Sequence, residues 1–231
     1  MRMGHKKNLR SRSEACGERM IYLEPQVLDD REEDPSAECF DLETLFGGLG
    51  RIEAEIGCGK GAFACECARL EPQTGLIAVE ALENVIVAGS ERAVREGLEN
   101  VRFVCVGAQY LWRYLPANCV SRLYLNFSCP YPKSGHEGKR LTSQHFLDIY
   151  KRFLTPDGEI WQKTDNREFF DYSLEQLCAA GYGLRNLTYD LHGDGSDADL
   201  DPRANIITEY ERRFMNEGKP ICRVEAYPLN K

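Results

Sequence analysis

The sequence predicts an open, doubly wound α/β domain with a mostly parallel, Rossmann-like sheet. Short apolar runs alternate with segments of helical periodicity from about residue 48 to 190, the pattern of strands crossed over by helices. The first run also ends in a glycine-rich turn that opens a helix, and several runs are apolar on nearly every residue, as strands covered on both faces are. In order, Arg51–Ile56 reads as a strand, Ala62–Leu70 as a helix, Leu76–Val79 as a strand and Leu82–Gly97 as a helix. Val101–Val106, Ser121–Phe127 and Glu159–Lys163 are further strands, separated by helical patterns over Gln109–Leu115 and Thr142–Leu154. A helix over Asn166–Ala180 and strand-like stretches at Gly183–Tyr189, Ile206–Phe214 and Ile221–Tyr227 complete the series.

The 231 residues suffice for one large domain or two small ones, and 42% hydrophobic content supports a sizeable core. Residues 1–45 are polar and charge-segregated and are expected to form an arm, with the folded domain over 46–231. No apolar run approaches the roughly 20 residues that cross a bilayer, so no membrane span is expected. Met1–Arg12 is basic with no apolar stretch behind it, so no secretory leader is expected either. The ten cysteines include Cys105, Cys178 and Cys222 inside hydrophobic runs, where a thiol acts as a small apolar side chain. Cys65-x-Cys67 lacks a histidine at finger spacing, so no metal site is expected, and reduced thiols point to the cytoplasm.

The net charge of −8 disfavours a polyanionic partner at first sight. Acid, however, concentrates in 29–43 and 190–201, whereas 1–12 and 133–152 are basic. A phosphate backbone senses charge only within about a Debye length, ~8–10 Å, so local patches leave RNA binding open.

Glu55-Ile56-Gly57-Cys58-Gly59-Lys60-Gly61 closes the first strand and opens the first helix. Ligands of open α/β sheets bind at the carboxyl ends of the strands, where glycines permit close approach to the backbone. The glycines follow G-x-G-x-G, not the G-x-G-x-x-G of dinucleotide sites, and an acid stands two residues before the first. That carboxylate repels a pyrophosphate but suits the cationic methionine group of S-adenosylmethionine. Glu80, ending the second strand, is placed to accept hydrogen bonds from both ribose hydroxyls. Lys60 is not followed by Ser or Thr in P-loop fashion, which excludes that site. A nicotinamide-dependent oxidoreductase remains an alternative only if the glycine spacing misleads.

Beyond the turn, Leu123-Tyr124-Leu125-Asn126-Phe127-Ser128 with Pro130 and Pro132-Lys133, then His136-Glu137, Lys163-Thr164-Asp165-Asn166-Arg167 and Thr208-Glu209-Tyr210-Glu211 with Phe214, form a specific set. With these motifs the chain resembles the bacterial tRNA (guanine-N7)-methyltransferases over essentially its whole length. The resemblance implies the class I S-adenosylmethionine-dependent methyltransferase fold, and methyl transfer to N7 of guanosine 46 in the tRNA variable loop. It implies Glu55, Gly57, Gly59, Glu80, Gly107, Ala108 and Cys129 around the cofactor. Lys133, Asp165, Thr208, Glu209, Tyr210 and Glu211 would surround the guanosine, with Cys129 and Asp165 at the catalytic positions. The monomer and the homodimer are both compatible with it.

The plainer expectations stand beside these roles. Asp165 reads as a helix N-cap, Glu211 as part of a polar strand face, and Lys133, Lys139 and Arg140 as a solvated basic loop. Three positions also depart from the family pattern. Cys129 replaces an Asp in Asp-Pro-Trp-Pro, Gly107 replaces an acid that approaches the adenine, and His136–Arg140 is one cation short of His-x-Lys-Arg-Arg. A neutral thiol does not stabilise a developing cation as a carboxylate does. The chain is therefore expected to be a methyltransferase with altered turnover, or a non-catalytic paralogue that binds cofactor or tRNA. A nucleophilic Cys129, as in cytosine-C5 methyltransferases, is disfavoured because the motif is Cys-Pro and no activating base adjoins it.

Overall fold

Residues 8–23, 39–193 and 201–229 are described by the computed structural model. They fall into two units, Met1–Pro116 and Ala117–Lys231.

In the first unit, α1 (Leu9–Glu14) precedes β1 (Met20–Tyr22), and α2 (Leu42–Phe46) precedes β2 (Arg51–Ile56), α3 (Ala62–Leu70), β3 (Thr74–Glu80), α4 (Glu83–Glu96) and β4 (Val101–Cys105). The strands lie in the order β1-β4-β3-β2 and all neighbours run parallel. β2 buries every residue after Arg51, and β3 buries all but Glu80, as crossover helices on both faces require. Close packing depends on Gly61 and Gly89: a Cβ on either would come within 2.4–2.5 Å of the Phe103 ring. Helix α4 ends in a Schellman turn, with Gly97 left-handed at φ 65° and the Leu98 amide donating to the Ala93 carbonyl at 2.9 Å.

The segment expected as an arm is, in its described part, joined to this sheet. β1 pairs with β4 from Met20↔Phe103 to Tyr22↔Cys105. Two of its cations are tied to this unit, Arg12 donating to Glu91 at 2.6 Å and Arg19 to the Leu98 carbonyl at 3.2 Å, while Arg10 stays in solvent. Both partners lie some 79 positions away, so the local charge pattern gave no hint of them. Residues 24–38, with most of the acidic stretch, lie outside the described residues.

The second unit contains β5 (Val120–Asn126), α5 (Gln144–Tyr150), β6 (Leu154–Thr164), α6 (Arg167–Ala179), β7 (Tyr182–Thr188), α7 (Glu209–Asn216) and β8 (Cys222–Pro228). Its strands lie in the order β5-β6-β8-β7; β5 and β6 are parallel, and β8 runs antiparallel to both of its neighbours. A buried polar chain crosses its interior: Gln162 donates to Ser173 at 3.0 Å, and Ser173 meets Thr142 at 2.8 Å.

Boundaries shift at several elements, most at β6, which begins at Leu154 and not at Glu159, and two elements change type. Gln109–Leu115 is a 3-10 segment over Ala108–Arg113, not an α-helix. The strand expected over Ile206–Phe214 is instead an irregular approach followed by α7. There Thr208 and Glu211 form a capping box, which starts a helix whatever the β-propensity of the flanking Ile206-Ile207. No described helix is long and apolar enough to cross a membrane.

Candidate functional site

In the first unit, β2 delivers Glu55 to a position only 2% exposed, just before the chain turns. The turn needs its glycines. Gly57 has φ 80° and Gly59 φ 57°, and a Cβ on either would meet nothing within 4 Å, so the backbone faces open space. The corner is pinned to β3 because the Gly57 and Cys58 amides both donate to the Val79 carbonyl, at 2.8 and 2.9 Å. Glu80 stands half-buried one residue beyond, its Oε1 accepting from the Leu82 amide at 3.0 Å.

The electrostatics of this corner are negative. Burial, then the charges of Glu55 and Glu80, push the Cys58 thiol well above its ordinary value. Burial, Glu83 and Glu80 raise Cys105 to about 11. Both thiols are therefore neutral near pH 7, and the carboxylates set the local potential. Buried acid beneath an exposed glycine corner fits a ligand carrying an ammonium and a sulfonium, with Glu80 as a hydrogen-bond acceptor for hydroxyls. The donor set of Glu55, Gly57, Gly59 and Glu80 thus suits S-adenosylmethionine.

Gly107 and Ala108 follow β4, both half-buried, at the start of the 3-10 segment. A Cβ on Gly107 would meet the Gln109 carboxamide at 2.8 Å. An amide therefore lies beside the position where the family has an acid. The sequence reading missed Gln109, although a polar residue two places on was the available signal.

In the second unit, the loop after β5 carries two aromatic residues with left-handed backbone, Phe127 at φ 52° and Tyr131 at φ 40°. Such conformations cost about 1–3 kcal/mol each and persist where surroundings enforce them. Arg140 is one enforcer. It donates to the Pro130 carbonyl at 3.1 Å and to the Tyr131 carbonyl at 3.1 Å, while its guanidinium lies 4.3 Å from the Tyr172 ring centroid. Arg140 is thus a latch and not part of a solvated loop, whereas Lys133 and Lys139 are exposed as expected. Cys129 is an exposed free thiol on the latched loop.

Lys163-Thr164-Asp165-Asn166-Arg167 spans the end of β6 and the start of α6. The N-cap is Asn166, whose side chain accepts from the Phe169 amide at 2.8 Å, so capping is not the task of Asp165. Asp165 is left half-buried, 3.8 Å from the Lys219 ammonium. Lys163 is buried and donates to Glu211 at 2.6 Å and to the Ile206 carbonyl at 2.7 Å. Glu211 is not on a strand face: it is fully buried, closes the capping box with Thr208, and sits 2.9 Å from His192 Nε2. His192 was invisible to the sequence reading, being 19 positions from its partner in a polar loop. Glu209 and Tyr210 face outward, Tyr210 at 58% exposure. Of the four residues in that motif, two build the helix start and two are displayed by it.

Comparison with known proteins identifies the family and the fold. Residues 50–224 match the family model described as "Putative methyltransferase". A tRNA (guanine-N(7)-)-methyltransferase of Brevibacillus brevis is 41% identical over 181 residues, covering 78% of this chain and 82% of that protein. One of Geobacillus kaustophilus is 40% identical over 193 residues, covering 84% and 86%. Among solved structures, the 16S rRNA methyltransferase KamB aligns with a TM-score of 0.59 at 16% identity, covering 92% of this chain and 99% of that one. A SAM-dependent methyltransferase of Aquifex aeolicus aligns with 0.54 at 17%, covering 86% and 100%. Those two likenesses establish the class I methyltransferase fold. With Glu55–Gly61, Lys163–Arg167 and Thr208–Glu211 all in place, the chain belongs to the tRNA (guanine-N(7)-)-methyltransferase family.

Proposed function

We propose that the protein methylates N7 of a guanosine in tRNA, at position 46 of the variable loop, using S-adenosylmethionine. The observation that carries this reading is the buried Glu55 carboxylate beneath the open Gly57–Gly59 corner, in a chain about 40% identical to proteins of that activity. When bound, S-adenosylmethionine supplies an electrophilic methyl on a sulfonium, the C–S bond breaking with its electron pair left on sulfur. Guanine N7 presents an in-plane lone pair and has no proton to lose, so the protein needs no strong base. Its own residues align and stabilise charge. Glu55 and Glu80 hold the donor, with Gly107 and Ala108 beside its adenine and Gln109 standing near the missing acid. Lys133, Asp165, Glu209 and Tyr210 meet the nucleotide, while Thr208 and Glu211 hold the segment that displays the last two. The methylated base is a cation, and Asp165 is the carboxylate that this reading assigns to it.

A second reading, a cofactor- or tRNA-binding paralogue without useful turnover, is favoured by the thiol at Cys129 and by Gly107. Losing one preorganised electrostatic partner costs about 10²–10³ in rate, which slows a reaction without abolishing it. Purified protein with labelled S-adenosylmethionine and unmodified tRNA, followed by nucleoside analysis, decides between them. Label in 7-methylguanosine supports transfer, and donor binding without label supports the paralogue. Label at cytosine C5 would restore Cys129 as a nucleophile. The same reading makes the protein cytoplasmic, and sedimentation separates monomer from homodimer.

A further inference from the structure

The reaction proposed above makes a base with delocalised positive charge, and one surface of the second unit is built to hold such a cation. Its parts are Asp165 at the end of β6, Phe214 on α7, and Lys219 just beyond that helix. Lys219 Nζ lies 4.6 Å from the Phe214 ring centroid and 3.8 Å from Asp165 Oδ2. Its third neighbour is Glu217 Oε2 at 3.0 Å. The Phe214 ring adjoins Phe127 at 5.8 Å and the exposed Tyr210 at 6.5 Å, so the ring that meets the ammonium is the middle of a short aromatic row. Arg213 also approaches the Phe214 ring, at 5.5 Å, but is bonded to Glu217 at 2.9 Å.

An aromatic face beside a carboxylate is a selective cation site. The ring quadrupole attracts positive charge, and the carboxylate adds Coulomb attraction that a neutral base does not receive. Here the cation is the protein's own. The Lys219 side chain is 46% exposed on a flexible stem, and ion pairs that open to water are weak, so the ammonium leaves at little cost. On leaving the ring it keeps a partner, because the Glu217 carboxylate already bonded to it is held below its ordinary range by bonds from Arg213 and Lys219. The main chain at the base of that stem is held, with the Lys219 amide donating to the Phe214 carbonyl at 3.0 Å.

We propose that Asp165 and the Phe214 face form a subsite for the cationic 7-methylguanine, and that Lys219 is its built-in competitor. Lys219 yields the subsite to the methylated base and, on returning, helps expel it. Guanine, being neutral, competes with the ammonium far less well. This inference rests on the methyl-transfer reading for the identity of the base, but not for the existence of the cation site.

The test is calorimetric titration of the full chain, and of Lys219→Gln and Phe214→Leu, with 7-methylguanosine and with guanosine as probes. Lys219→Gln is expected to bind 7-methylguanosine about fivefold more tightly, the loss of one weak competing ion pair, with guanosine changed less than twofold. Phe214→Leu is expected to lose the preference for the methylated nucleoside. Equal changes for both nucleosides, unaltered 7-methylguanosine affinity in Lys219→Gln, or no binding of 7-methylguanosine by any of the three proteins overturns the proposal. Lys219 is exposed, so its variant folds even if Phe214→Leu does not. If wild-type protein puts label into 7-methylguanosine while the variants show no selectivity, the subsite falls and the transfer reading stands. Selectivity without transfer leaves the subsite standing and the transfer reading overturned.

Discussion

Lys163 Nζ stands 2.6 Å from Glu211 Oε2, a buried ion pair between residues 48 positions apart. It joins the segment after β6 to the start of α7, so the two most specific motifs of the chain form one structural element. The same ammonium holds the Ile206 carbonyl, which fixes the approach to the capping box.

Removing one partner of this pair is therefore expected to be severe. Lys163→Met leaves a fully buried carboxylate without its ammonium, a change that typically costs about 3–5 kcal/mol. Urea unfolding of the variant should show that loss at an unchanged slope. A loss below about 1 kcal/mol, the range of exposed pairs, would show that the pair is solvated.

Arg140→Leu addresses the loop that carries Cys129. The guanidinium holds the Pro130 and Tyr131 carbonyls, so its loss releases the loop while the core is untouched. We expect methyl transfer to fall about tenfold or more through misalignment, with stability changed by about 1 kcal/mol. A parallel collapse of folding and activity would instead make Arg140 a general stabiliser.

Much of this was legible in the sequence for physical reasons. β2, α3 and the Gly57–Gly61 corner follow from local apolar runs and glycine conformations, and their bounds agree with expectation. Failures came where distant partners decide. Ile206–Phe214 reads as a strand by its apolar residues, yet Thr208 and Glu211 start a helix, and Glu211 is neutralised by Lys163 and not by solvent. Arg12 reads as part of an arm until Glu91 is brought beside it. Asp165 and Asn166 are equally good caps by composition, and only the fold shows that Asn166 does the work and leaves Asp165 available.

Cys129→Asp tests the departure from the family pattern. If the thiol is a simple loss of charge stabilisation, the variant should turn over about 100-fold faster in single-turnover assays. An unchanged or lower rate would mean that the loop around Cys129 has adapted to a different chemistry.

Acid stability should carry the signature of Asp201. Burial alone would raise its carboxyl, but bonds and charge from Arg203, with the charge of Arg122, outweigh this and hold it at about 2. Its folded value lies below the unfolded value of about 4, so the contribution is complete above that pH and is lost as pH falls toward 2. Asp201→Asn should flatten that limb of the stability curve. A variant with the wild-type acid limb would remove Asp201 from the account.

Glu55 and the glycine corner are proposed to hold a cationic methyl donor for transfer to guanine N7. Nucleoside analysis of tRNA, after reaction with labelled S-adenosylmethionine and either wild-type protein or Glu55→Gln, tests it most directly. Label is expected in 7-methylguanosine at position 46 with wild type, and at least about tenfold less with the variant at limiting donor, the loss of one charge-assisted contact. Wild-type protein that binds the donor yet leaves every guanine unlabelled, or a variant that transfers as fast as wild type, would contradict it.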